Sequence, residues 1–153
     1  MSNFDPSMFL DATITEASTK RLPLPAGQDF VGIISNVESR AWQGKKDPSQ
    51  GGIVVDVTVE IDLAAYPDTA ATVGANKVTL KDGIMLDLTQ SGGIDTAPGK
   101  NGKLRRYREA LGMNNPGEPF SFRAMTGRQI KVKIKHDPYE GEIYDKIDSV
   151  ARA

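Results

Sequence analysis

The sequence predicts a mainly β domain: a small five-stranded antiparallel barrel with one helix between strands three and four and an extended N-terminal arm. Three observations carry this. Ile53, Val55, Val57, Val59, Ile61 and Leu63 alternate with Val54, Asp56, Thr58, Glu60 and Asp62, the period of a long half-buried strand. Ile130, Val132 and Ile134 alternate with Lys131, Lys133 and Lys135, a second strand with one apolar and one cationic face. Between Asn101 and Gly112 the spacing changes, with Leu104, Tyr107 and Leu111 at i, i+3 and i+7, which is helical.

Residues 1 to 27 read as an arm, and residues 28 to 153 as the domain. Phe4, Met8, Phe9 and Leu10 are apolar, but Asp5 and Pro6 break the run, and Leu22-Pro23-Leu24-Pro25-Ala26-Gly27 is held extended by its prolines. Strand one is expected over 28 to 39, its apolar residues changing faces at Gly32. Residues 40 to 52 then form a polar, glycine-rich loop containing Arg40, Trp42, Lys45 and Lys46. Strand two follows. Residues 66 to 76 read as a loop of small residues, and 77 to 88 as strand three with a turn or bulge at Asp82-Gly83. Residues 89 to 102, rich in glycine and polar side chains, are expected to be mobile. In the helix that follows, Asn101 is the expected cap and Lys103, Arg105, Arg106 and Arg108 cover its other faces. A short helical turn from 121 to 126 puts Phe122 and Met125 inward. The chain closes with a hairpin turned by Asp137, Pro138, Tyr139, Glu140 and Gly141, and a bulge near Asp145 brings Ile143 or Tyr144, Ile147 and Val150 to one interior.

With 153 residues the chain makes one core of comfortable size without covalent staples. Cysteine is absent, which excludes disulfides, thiolate metal sites and cysteine nucleophiles. No apolar run reaches membrane-spanning length, and Asp5 and Asp11 interrupt the start, so a cytoplasmic protein is expected. The net charge of -1 conceals an asymmetry: residues 1 to 98 hold 7 Lys/Arg against 13 Asp/Glu, and residues 99 to 153 hold 12 against 7. A locally basic surface attracts polyanions even on a nearly neutral molecule, because salt screens distant charges beyond about 10 Å. Trp42 beside Arg40, Lys45 and Lys46 matches an aromatic platform for unpaired bases flanked by phosphate-pairing cations. An equally open reading folds Trp42 back to cap the end of the barrel.

Three strands, a helix and a closing hairpin is the connectivity of the OB-fold, a partly open barrel that commonly binds oligonucleotides. Across most of residues 25 to 150 the chain resembles the small single-stranded DNA-binding proteins of tailed phages. The resemblance rests on the Pro25-Ala26-Gly27 lead-in to strand one, the glycine-plus-alternating-lysine strand from 127 to 135, and the returning Glu142-Ile143-Tyr144-Asp145-Lys146-Ile147 run. It implies an OB-fold, binding of single-stranded DNA in phage replication or recombination, replication or recombination proteins as partners, and residence in the host cytoplasm.

Catalysis has few candidates. His136, the only histidine, lies in phase with the apolar positions of its strand and reads as a structural rim residue. Asp56, Glu60 and Asp62 share one strand face where Mg²⁺ could bind, but they read as a solvated acidic face that would also repel phosphate. Gly99-Lys100 and Gly102-Lys103 lack the glycine and the Ser/Thr of a phosphate loop. The expectation is therefore a non-enzymatic, cofactor-free, sequence-tolerant single-strand binder. Its nucleic-acid contacts are Arg40, Lys45, Lys46, Arg105, Arg106, Lys131, Lys133 and Lys135, with Trp42 and Tyr139 as stacking platforms, all converging in one groove. Tyr107 and Tyr144 are assigned to the core. The competing expectation is a phage structural or assembly protein, its barrel a protein-interaction module and its N-terminal arm docking on another subunit.

Overall fold

Alternation of apolar and polar residues writes most of the sheet directly, and the computed structural model, which describes residues 5–153, contains five strands: β1 (Asp29–Gln43), β2 (Gly51–Asp62), β3 (Lys77–Met85), β4 (Gln129–Tyr139) and β5 (Glu142–Ala151). They form one antiparallel sheet in the order β3-β2-β1-β4-β5. The sheet is not closed. β3 and β5 are its edges, and they come near each other without pairing. In place of the partly open barrel expected from the sequence stands a curled five-stranded sheet with an open seam. The inner face carries Phe30, Ile34, Val57, Val59, Ile61, Ile130, Val132 and Ile134, all buried, and the helix α2 (Gly102–Ala110) adds Leu104 and Tyr107.

β1 departs from its expected bounds for a physical reason. Its apolar pattern stops with the core at Val37, while its hydrogen-bond ladder with β2 runs on to Gln43 opposite Gly51. Arg40 and Trp42 therefore stand on the β1–β2 ladder and not in a loop. The change of face comes at Ser35, which is skipped between the pairs Ile34–Val59 and Asn36–Thr58. Gly32 keeps the inward phase, and glycine is needed because a Cβ there would lie 2.7 Å from Val59 Cγ1 and 2.9 Å from the Glu60 carbonyl oxygen.

Residues 67 to 73, read as loop, form a short helix, α1 (Pro67–Val73). Its signals were terminal, with Pro67 in the first turn, Asp68 beside it, and Gly74 closing the helix at φ 80. β3 ends at Met85. The segment expected to be mobile is latched instead: Asn101 is buried, accepts from the Asp87 amide at 2.8 Å, and donates through Nδ2 to the carbonyls of Asp87 and Asp95 at 2.9 and 2.8 Å. That side chain is consumed by the latch, so it does not cap α2. In the closing hairpin, Glu140 and Gly141 take positive φ, the two-residue turn that matches strand twist. The bulge falls at Asp148, between the pairs Lys133–Ser149 and Ile134–Ile147, and not near Asp145. Ile147 is buried in consequence, while Ile143 and Tyr144 remain on the surface, correcting their assignment to the interior.

The last part of the expected arm is a strap. Leu22 N–H donates to Val73 O at 2.9 Å, and Gly27 N–H to Ile134 O at 2.8 Å. Between them Leu24 is wholly buried in the core, so the packed domain begins earlier than residue 28. Upstream, Pro6–Asp11 is a 3-10 turn that leaves Met8, Phe9 and Leu10 exposed; Phe4 lies outside the described residues. No helix among the described residues is long and apolar enough to cross a membrane.

Candidate nucleic-acid interface

The outer face of β4 is the simplest cationic surface. Because Ile130, Val132 and Ile134 point inward, Lys131, Lys133 and Lys135 point outward, about 6.8 Å apart along the strand. Across the ladder from Lys131 and Lys133 stand Val31 and Asp29 of β1 on one side, and Ala151 and Ser149 of β5 on the other. None of the three lysines makes an ion pair among the described residues. Tyr139 continues the row to the hairpin tip, where it is exposed. Tyr144, also exposed, donates its hydroxyl to Glu142 at 2.9 Å.

The strand register spreads the parts of the expected groove along β1. Val31 lies opposite Lys131, and from Val31 to Trp42 is about eleven residues of β1, roughly 36 Å of strand contour. Lys45 and Lys46 lie further out, in the β1–β2 turn. Arg40 is neutralised by Asp56 at 2.7 Å. Trp42 is half-buried and lies against Gly52 across the ribbon, its Nε1 2.9 Å from where a Cβ of residue 52 would stand. It thus covers the ribbon, not the end of a barrel. Arg105 pairs with Glu109 at 3.5 Å and lines a hollow under the 94–101 segment.

The acidic row of β2 is divided among different partners. Asp56 holds Arg40, Glu60 holds Lys77 at 2.6 Å, and Asp62 accepts from the Ala64 amide at 2.9 Å. Among the described residues no three His, Asp or Glu side chains are placed to hold a metal ion. His136 Nε2 lies 2.7 Å from the Leu24 carbonyl and donates to it, so the only histidine helps hold the strap.

A second cationic cluster was not anticipated. Lys81 of β3, Lys103 and Arg106 of α2, and Lys135 and Lys146 of β4 and β5 line one cleft of about 290 Å³ at the seam between the sheet edges. At its floor Asp82 accepts from Tyr107 Oη at 2.6 Å and from Lys103 Nζ at 2.7 Å. Burial, and then the charge of Asp82, pushes the Tyr107 hydroxyl well above its ordinary pKa, so it stays a donor at any working pH. Of these residues only Arg106 and Lys135 were expected to bind. Lys81 was legible as an outward cation on strand three, but nothing local brings the two edges of the sheet together.

No protein-family model matches this chain, and no curated protein is significantly similar to it.

Proposed function

We propose that this protein is a non-enzymatic, sequence-tolerant single-stranded DNA-binding protein that serves phage DNA replication or recombination. The observation that carries the reading is the row of Lys131, Lys133 and Lys135, three outward ammonium groups on one strand that make no ion pair among the described residues. Their spacing is about twice the ~3.4 Å per-nucleotide rise of a stacked strand, which suits an extended one. The strand order β3-β2-β1-β4-β5, with a helix between β3 and β4, is also that of an OB barrel left open between its third and fifth strands. Exposed Val31 and Ile33 beside the lysine row, and Tyr139 at its end, give bases an apolar surface to lie on.

The test is a salt titration with a fluorescent single-stranded oligonucleotide. Each phosphate neutralised on a single strand contributes about 0.7 to the slope of log K against log salt. The K131A/K133A/K135A variant is expected to lose affinity at least tenfold and about two units of that slope. An unchanged slope would remove the lysine row from the interface; no binding by the unaltered protein at low salt would remove the function.

A second reading, a structural or assembly role with the arm docking on another copy, is favoured by one observation. Met8, Leu10 and Ile14 are 71%, 89% and 83% exposed, too apolar a stretch to sit in water without consequence. Light scattering on the full chain and on an M8S/L10S/I14S variant tests it. Oligomers lost in the variant support arm docking; monomers in both oppose it.

A further inference from the structure

The open seam is a cationic site that the lysine row does not account for. It lies where β3 and β5 fail to pair, and its walls come from four elements: Lys81 and Asp82 of β3, the first turns of α2, Lys135 of β4, and β5 from Lys146 to Val150. Two of its cations are already used, since Lys103 holds Asp82 at 2.7 Å and Lys146 holds Asp137 at 2.7 Å. Lys81, Arg106 and Lys135 make no ion pair among the described residues. The carboxylates on the walls are Asp82, committed to Tyr107 and Lys103, and Asp148, the bulge residue of β5. Three unpaired cations therefore face one uncommitted carboxylate.

This arrangement is unfavourable for the protein alone. Ammonium groups on both sides of a narrow gap repel, and the two strand edges that could hydrogen-bond across it stay apart. A phosphate group placed there reverses the sign of the interaction, because it accepts from Lys81 on the β3 edge and from Lys135 on β4, the strand beside the β5 edge, while Arg106 offers its planar fork from α2. Lys135 is also the last lysine of the β4 row, so the seam and the row are continuous through one residue.

We propose that the seam between β3 and β5 is a phosphate-binding track in which the backbone of the bound single strand, leaving the β4 row at Lys135, passes between Lys81 and Arg106. This rests on the single-strand reading above and gives it a path. That path runs away from Trp42 and the β1–β2 turn. The bound strand bridges β3 and the β4–β5 side of the seam and so resists their separation.

The experiment compares K81A/R106A, which leaves the β4 row intact, with K45A/K46A at the β1–β2 turn, in the same oligonucleotide salt titration. The seam variant is expected to bind about tenfold more weakly and to lose between one and two units of salt slope, the turn variant to match the unaltered protein, and K81R/R106K to recover most of the affinity. Lysine acetylation read by mass spectrometry on the unaltered protein supplies a measurement that needs no variant: bound oligonucleotide should shield Lys81 and leave Lys45 reactive. If the unaltered protein binds while K81A/R106A keeps its affinity and slope and Lys81 stays reactive, the seam is not the track and the single-strand reading stands on the β4 row. If the unaltered protein binds no oligonucleotide, both fall together.

Discussion

Leu24→Ala is expected to lower the free energy of unfolding by about 4 kcal/mol, the upper half of the range for deleting a buried leucine. Leu24 has no exposed surface, and its backbone is fixed on both sides: its amide donates to Asp145 at 2.8 Å, and its carbonyl accepts from His136 at 2.7 Å. A strap pinned in this way cannot slide inward to fill the space left by the side chain, so the cavity persists. Urea denaturation followed by circular dichroism measures it. A loss under about 1 kcal/mol would mean that the strap is dispensable and that residues before 28 behave as a free arm.

Asp145→Ala is expected to cost about 2–3 kcal/mol, because it leaves two donors of the strap without an acceptor in a site only 8% exposed at the carboxylate. The Asp145 carboxylate takes Arg21 Nη1 at 2.6 Å, Arg21 Nη2 at 3.0 Å and the Leu24 amide at 2.8 Å. Burial is the largest single influence on its pKa and raises it, but the Arg21 hydrogen bonds, the Leu24 amide and the Arg21 charge together outweigh burial and hold the pKa below the ordinary value. A depressed carboxylate stabilises fully above its unfolded pKa, about 3.9, and the contribution fades as pH falls from there through the folded value. The stability of the unaltered protein should therefore fall below about pH 4 more steeply than that of Asp145→Asn, and the two curves should converge in strong acid. Parallel curves between pH 7 and pH 2 would show that the Arg21–Asp145 pair contributes nothing.

The binding experiments are insulated from these effects. Lys81, Arg106, Lys131 and Lys133 hold no residue of the strap, so a loss of affinity on replacing them reports on the interface and not on folding.

Much of this architecture is legible locally. The alternations at 53 to 63 and 130 to 135 give β2 and β4, the Leu104–Tyr107 spacing gives α2, and the outward direction of Lys131, Lys133 and Lys135 follows from the inward direction of their apolar neighbours. A strand with a period of two has only two faces, and burying one leaves the other exposed whatever the rest of the chain does. α1 was missed because Asp68 to Val73 carries no helical apolar repeat, leaving only Pro67 and Gly74 to announce it. The end of β1 was missed because a ladder of backbone hydrogen bonds needs no side-chain pattern once the ribbon leaves the core.

The sequence by itself determined β2 and β4 and which of their charged side chains face outward. Only the tertiary structure decided which cations meet. Arg40 and Lys131 both stand on exposed faces, yet the register sets one beside Asp56 and leaves the other with no ion pair among the described residues. Lys81, Arg106 and Lys135 come from three distant segments and converge because the sheet curls far enough to bring its two edges together but not to pair them. Charge is a property of a residue, whereas an electrostatic site depends on distances between residues, and those distances are set by strand order and curvature rather than by any local pattern.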